Sequence, residues 1–135
     1  MTDIEQEIDR LFTGYFSDFS NLDLKAIVSY FHDPCTFIVP QGVLVFSSPS
    51  EVEGFWGPRF EDLKAQGFGH TERAEANIKV LTGDTAIANS LAVRYTKDGS
   101  ELERRGATFV LRKTGDGWKI VTLIHHSPDN VMKMI

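Results

Sequence analysis

The stretch from Asn21 to Phe46, NLDLKAIVSYFHDPCTFIVPQGVLVF, predicts a short helix, a stop and two strands. Its first half carries apolar residues at the i, i+3, i+4 and i+7 spacing of an amphipathic helix: Leu24, Ile27, Val28 and Phe31. Asn21 is the expected N-cap. Pro34 is expected to end the helix, because the residue before a proline is disfavoured in the α region. Residues 35–46 then predict a strand pair that turns at Gly42.

Amphipathic helices are also predicted on both sides of this stretch. The first begins at Thr2, where Thr2 and Glu5 have the spacing of a capping box. Another begins at Ser48, with Glu51 at the third helical position. Pro58 falls inside that helix and is expected to interrupt and kink it, because proline removes a backbone hydrogen bond.

From His70 onward the apolar period changes from 3.6 to 2, which predicts four strands joined as a meander. Helices followed by strands indicate an α+β fold with the helices on one face of an antiparallel sheet. Leu111, or Val121 and Leu123, are expected on the other face, where a second subunit would cover them. Residues 129–135 are expected to form a frayed or swapped tail.

Composition narrows the class of protein. The chain has 135 residues, a usual length for a single domain spanning 1–135, and a formal net charge of −5. That charge argues against a nucleic-acid partner, which needs a basic patch. Cys35 is the only cysteine, which excludes an internal disulfide. No apolar run approaches the ~20 residues of a membrane span, and the acidic start is unlike a signal peptide. We therefore expect a cytoplasmic protein.

The chain resembles the nuclear transport factor 2-like superfamily, and within it the SnoaL-like group of polyketide cyclases and relatives. The resemblance covers nearly the whole chain, including AIVSYFHDPCTF at 26–37 and DGWKIVTLIHHS at 116–127. It implies a cone-shaped, curved antiparallel sheet around a hydrophobic pocket. Three helices from the N-terminal half would pack over the concave face, and a homodimer would form through the sheet. The superfamily holds isomerases, cyclases, hydrolases, dehydratases and noncatalytic binding modules.

The ketosteroid isomerases of this superfamily allow a test by position. Their oxyanion-binding tyrosine falls on Tyr15, which matches. Their general-base aspartate falls on Val39, and their protonated aspartate falls on Ala107. Without a carboxylate at Val39 no side chain there can abstract a proton, so the resemblance does not extend to steroid isomerisation.

Three residues are candidates for catalysis. His126 shares strand parity with Trp118, and the resemblance places that parity towards the pocket, where a histidine can transfer protons near neutral pH. Glu72 or Tyr15 would orient it. The structural alternatives are a histidine bonded to backbone at the end of the sheet and a core tyrosine with a satisfied hydroxyl. His125 takes the opposite parity, towards the surface or a dimer interface.

Candidate substrate-binding residues are Trp56, His70, Arg105, Phe109 and Thr122. Trp56 is either core or a cavity wall, and Arg105 pairs either with Glu103 or with a ligand carboxylate. We expect no metal, because His125 and His126 point to opposite faces of a strand and the sequence lacks an H-x-x-x-H or H-x-H spacing. We also expect no cofactor.

The sequence therefore predicts a small-molecule pocket of unknown chemistry. One function class is cofactor-independent acid–base chemistry of the cyclase, dehydratase or hydrolase type on a small apolar substrate. The alternative is a noncatalytic ligand-binding or dimerisation module. Convergence of His126, Glu72 and Tyr15 around an open cavity would favour the enzyme. Filling of the cone by Trp56 and Phe109 would favour the alternative.

Overall fold

The computed structural model describes residues 1–132, which form three α-helices, six strands and a short 3-10 helix. The helices are α1 (Asp3–Ser20), α2 (Leu24–Ser29) and α3 (Pro49–Ala65), and the 3-10 helix is Pro128–Asn130. The strands are β1 (Phe31–Val39), β2 (Gly42–Phe46), β3 (Phe68–Thr82), β4 (Thr85–Thr96), β5 (Glu101–Thr114) and β6 (Gly117–His126). The last three residues of the predicted tail, 133–135, lie outside the described residues.

Side chains cap the helices largely as predicted. Thr2 Oγ1 accepts from the Glu5 backbone N–H at 3.2 Å, and Ser48 Oγ accepts from the Glu51 N–H at 3.4 Å. The predicted N-cap Asn21 is wrong. Asn21 instead ends α1, and Asp23 caps α2 by accepting from a backbone N–H one turn later.

Both proline predictions need correction. Helix α2 ends at Ser29, well before Pro34. The reason is that Phe31 already pairs with Ile120 of β6, so the backbone is extended as part of the sheet from that residue onward. Helix α3 continues through Pro58, so the expected interruption is wrong, while the expected kink stays a prediction. Its buried apolar side chains each contribute roughly 1.5–3 kcal/mol, which offsets a proline cost of about 3 kcal/mol.

The strands form one mixed sheet in the order β2-β1-β6-β5-β4-β3. This confirms the α+β class and the cone fold, with one correction to the expected antiparallel pairing. Among the described strands, β1 and β6 pair in parallel, while the other neighbours are antiparallel. The pair is distant in sequence, so no hairpin turn sets its relative direction.

An aromatic core lies between the helices and the sheet. The Phe12 ring of α1 packs 4.7 Å from Phe109 of β5, and Phe19 meets Trp56 edge-on at 5.6 Å. Polar contacts fasten α1 to the sheet at both ends. The Trp118 indole N–H donates to Glu7 at 2.9 Å, and the Ser20 hydroxyl lies within 3.2 Å of the Thr71 backbone.

The expectation that Leu111 and Leu123 lie on the helix-free face is wrong. They are 0% and 1% exposed and belong to the core. Leu111 shares the strand parity of the core residue Phe109 on β5, so plain alternation turns it inward. For Leu123 the cause is a β-bulge in β6: Ile120 pairs with Leu111 and Thr122 pairs with Val110, so Val121 is an extra residue. Because side chains alternate along a strand, one extra residue moves every later side chain to the opposite face.

A second bulge has the same effect in β3. Arg73 pairs with Ala92 and Glu75 pairs with Leu91, which leaves Ala74 as the extra residue. After Ala74 the strand follows the predicted alternation. Before Ala74 the alternation is reversed, so Thr71 and Arg73 face the helices.

Candidate functional site

The candidate site is a cavity of about 490 Å³ between α3, the β1–β2 turn and the ends of β4, β5 and β6. Its apolar walls include Phe19, Val39, Phe55, Trp56 and Leu63. Its charged side chains are four arginines and two carboxylates: Arg59, Arg94, Arg104, Arg105, Asp62 and Glu103. We call it the arginine cavity.

Three of these arginines come from different parts of the fold. Arg59 lies over the Phe55 ring at 3.6 Å and donates from Nη1 to the Phe55 carbonyl at 2.9 Å. Arg94 is buried on β4, where it pairs with Glu103. Arg105 on β5 lies 3.5 Å from the other oxygen of Glu103. One carboxylate is thus shared between Arg94 and Arg105.

The positive charges of the cavity act on one another. Burial lowers the pKa of Arg94, and the neighbouring charge of Arg105 lowers it further. The pKa of Arg59 is lowered for the same two reasons. Like charges close together in a desolvated site disfavour their charged forms. The cavity therefore has a positive potential that its own carboxylates do not fully balance.

His125 reaches this cavity, although its parity predicted a surface or interface position. The bulge at Val121 turns it inward, and its ring packs edge-on against Trp56 with centroids 6.0 Å apart. Burial lowers the pKa of His125 to about 3, and the charges of Arg105, Arg94, Arg59 and His126 contribute. The imidazole is therefore neutral near pH 7.

Two buried N–H groups beside the cavity lack an acceptor among residues 1–132. They are Nε1 of Trp56 and Nε of Arg94. Trp56 is 2% exposed and Arg94 is 8% exposed. Leaving a buried donor unsatisfied costs roughly 1–3 kcal/mol. Among the described residues, the cavity wall thus contains two unsatisfied hydrogen-bond donors.

Tyr15 and Phe109 lie deeper, along a smaller cavity of about 30 Å³ that also touches Trp56, Arg94, Arg105 and His125. Burial raises the pKa of Tyr15 well above its ordinary value. The ring of Tyr15 contacts Phe12, Phe31 and Phe109 edge-on. Tyr15 is thus a core tyrosine at the inner end of the site.

His126 differs from its predicted orientation. The Val121 bulge turns its ring to the helix-free face, where Nδ1 donates to the Ser127 carbonyl at 2.9 Å. Nε2 then accepts from the Thr108 hydroxyl, also at 2.9 Å, and that hydroxyl accepts from Asn89. Both ring nitrogens are occupied, which leaves neither for proton transfer in the cavity.

The other predicted residues divide between the two faces. Glu72 and His70 lie on the helix-free face, where they pair with each other at 3.4 Å and His70 stacks on Tyr95. The bulge at Ala74 reverses their predicted direction. Thr122 also lies outward, because it follows the Val121 bulge. The predicted residues that line the arginine cavity or its inner end are Trp56, Arg105, His126, Tyr15 and Phe109.

Sequence reasoning missed Arg59, Arg94 and His125 as cavity residues. The signal for Arg94 was present, since it shares the strand parity of the inward residues Ala88 and Ala92. Arg59 lies one helical turn after Phe55, on the face that α3 buries. Nothing in the residue types signals His125, because valine is an ordinary strand residue and the bulge at Val121 has no local mark.

Within residues 1–132, no three or more His, Cys, Asp or Glu side chains are grouped so that they could hold a metal ion. No helix in the described part of the chain is long and apolar enough to cross a bilayer.

Solved structures share this architecture. An NTF2-like protein of unknown function from Pseudomonas putida is 19% identical, with a TM-score of 0.77 over 100% of this chain and 97% of that chain. An NTF-2 like protein of unknown function from Shewanella oneidensis is 17% identical, with a TM-score of 0.74 over 91% and 98%. A ketosteroid isomerase-like protein from Erwinia carotovora is 19% identical, with a TM-score of 0.69 over 93% and 96%. At these identities the likeness shows the fold alone.

Sequence comparison identifies the family. A search of curated proteins finds no match. A family model described as NTF2-like protein (DUF6841) matches residues 5–128, which is nearly the whole chain. This agrees with the curved mixed sheet, the three helices and the structural neighbours. The resemblance to the nuclear transport factor 2-like superfamily is thereby confirmed, and the chain belongs to this NTF2-like family.

Proposed function

We propose that the protein binds a small organic molecule in the arginine cavity and that binding, without chemistry, is its main activity. The observation that carries the proposal is the cavity itself. Its volume of about 490 Å³ falls within the range of small-molecule sites, and its lining joins aromatic walls to charged groups that can orient a ligand.

The same geometry favours binding over the predicted acid–base mechanism. Glu72 is on the far side of the sheet from Tyr15, and both nitrogens of His126 are hydrogen bonded elsewhere. Tyr15 is buried with a raised pKa, which makes its hydroxyl a poor proton donor. The three residues thus do not converge on the cavity.

A second candidate function is cofactor-free acid–base chemistry of the cyclase, dehydratase or hydrolase type. One observation favours it: His125 is a neutral imidazole in contact with the cavity. A neutral imidazole can accept a proton from a bound molecule, although its low pKa makes it a weak base. His125 would then take the role that the sequence suggested for His126. This candidate also keeps the predicted SnoaL-like placement, which stays a prediction, as does the cytoplasmic location.

We also propose that a second copy of this chain covers the helix-free face. Edge strand β2 exposes Val43 and Val45 at 65% and 70%, and their neighbour on β1, Ile38, is 39% exposed. Ile38 pairs with Ile124, so the apolar row continues into the sheet. In a two-fold symmetric dimer this patch on one copy packs against the same patch on the other copy, so a single interface covers both patches.

The ligand proposal is tested with neutral planar probes, namely 2-naphthol, indole and coumarin. At saturating concentration a bound probe raises the melting temperature by mass action. Gln66 is exposed at the end of α3 and lines the cavity, so Gln66→Trp should narrow the entrance and weaken binding about tenfold or more. Gln6→Trp, on the exposed side of α1, is the matched control and should bind as the wild type does.

Isothermal titration of the best probe measures this difference. Equal affinities for the two tryptophan variants would mean that the probe binds outside the arginine cavity, and the proposal would fail. Absence of binding by all three neutral probes and by 2-naphthoate would also overturn it.

A further inference from the structure

We infer that the physiological ligand of the arginine cavity is an organic carboxylate with a planar apolar body. This inference rests on the proposed binding function and names its ligand class. It starts from the charge of the lining, where Arg59, Arg94 and Arg105 share two carboxylates in a protein whose net charge is −5. The fourth arginine of the lining, Arg104, pairs with Glu101 outside the cavity. A chain that is acidic overall thus concentrates positive charge at one cavity.

The carboxylates of the lining leave this charge only partly compensated. Glu103 is shared between Arg94 and Arg105, and its second contact, to Arg105, is long at 3.5 Å. Arg59 is held by the Phe55 carbonyl and ring. A guanidinium presents donors in a fork that matches a carboxylate in two parallel hydrogen bonds. An anion among Arg59, Arg94 and Arg105 would relieve their mutual repulsion.

Unpartnered hydrogen-bond donors lead to the same ligand class independently. Trp56 Nε1 and Arg94 Nε are buried beside the cavity without an acceptor among the described residues. His125 is neutral, so its ring adds one N–H donor and one acceptor rather than a second positive charge. A ligand that supplies acceptors only, as a carboxylate does, fits such a lining better than an amine or an alcohol.

The apolar walls define the rest of the molecule. Phe19 and Phe55 each meet Trp56 edge-on beside the cavity, and Val39 and Leu63 add apolar surface to its lining. Flat aromatic surfaces bind planar apolar groups. A bare inorganic anion would leave these walls unused, which is why an organic carboxylate is inferred rather than free phosphate.

The test compares 2-naphthoate with 2-naphthamide, which has the same shape without the charge. Titration calorimetry at low salt should give at least tenfold tighter binding of the naphthoate, since a hydrogen bond to a charged group is worth about 1.5–3 kcal/mol. Arg105→Gln should remove most of this preference, so that the variant binds the acid and the amide with similar affinity. Arg112→Gln is the matched control on the same strand, because Arg112 is exposed, pairs with Asp84 and does not line the cavity.

Each outcome separates the ligand class from the binding function. Equal affinity for acid and amide would overturn the carboxylate inference and leave the binding proposal standing. A preference for naphthoate that survives Arg105→Gln would overturn the inference, because the acid would bind elsewhere. Competition of naphthoate by equimolar inorganic phosphate would overturn it as well. Arg59→Gln, on the opposite wall, replaces Arg105→Gln if the melting temperature shows that the latter does not fold.

Discussion

At the residue scale, burial of His125 beside the cavity makes the free energy of unfolding depend on pH in the acidic range. Its pKa is about 3 in the folded protein against an ordinary value of 6.5, with Arg105, Arg94, Arg59 and His126 as its charged or titratable neighbours. Between these two values the unfolded chain binds a proton that the folded protein does not. The free energy of unfolding therefore falls as the pH drops from 6.5 towards 3, and this part of the stability is fully present above 6.5.

His125→Gln removes the titrating group and keeps a polar side chain of similar length. We expect a flatter dependence of the free energy of unfolding on pH in the variant than in the wild type between pH 6.5 and pH 4. Urea denaturation followed by circular dichroism at several pH values measures both curves. Parallel curves would show that His125 is not held neutral by the cavity.

At the element scale, the end of β6 lies very close to β5 at Gly106. A Cβ added there would lie 2.5 Å from His126 Nδ1 and 2.6 Å from the Ser127 carbonyl oxygen. Gly106→Ala must therefore displace the ring that bonds Thr108, and overpacking of this kind costs about 1–3 kcal/mol. We expect a lower free energy of unfolding by that amount in urea.

The control for this prediction is Gly115→Ala, in the turn between the same two strands. No atom lies within 4 Å of a Cβ added at Gly115. The control should change stability by less than about 0.5 kcal/mol, as is usual for a surface substitution. Equal losses in the two variants would show that the close approach at Gly106 is not what limits the strand pair.

The helices and strands were largely predictable from sequence, whereas the face of the sheet to which several site side chains point was not. Periodicity and capping residues identified α1, α3 and the meander, because an element that buries one face carries apolar residues at the spacing of that face. Bulges are different, since the extra residue in each case is an ordinary strand residue: Ala74 or Val121. Each bulge reverses the alternation on one side of itself, which turned His125 inward and His126, Glu72 and Thr122 outward.

At the scale of the whole molecule, the two faces of the sheet have different roles. The concave face carries the aromatic core and the arginine cavity. The opposite face carries the Asn89–Thr108–His126 hydrogen bonds and the exposed apolar residues of β1 and β2. Ligand binding and self-association would thus use opposite faces of the sheet. When a residue on one face is substituted, the property that belongs to the other face serves as an internal control.

The last prediction concerns that outer face. If two copies meet there, Val43→Glu would place a carboxylate in an apolar contact and shift the protein from dimer to monomer. Leu81→Glu is the matched control, because Leu81 is 52% exposed near the opposite edge of the sheet, beside the β3–β4 turn. Sedimentation velocity should give a dimer for the wild type and for Leu81→Glu, and mostly monomer for Val43→Glu. A monomeric wild type, or a dimer that tolerates Val43→Glu, would contradict self-association through β2, and retained naphthoate binding by the monomer would show that each cavity is complete within one chain.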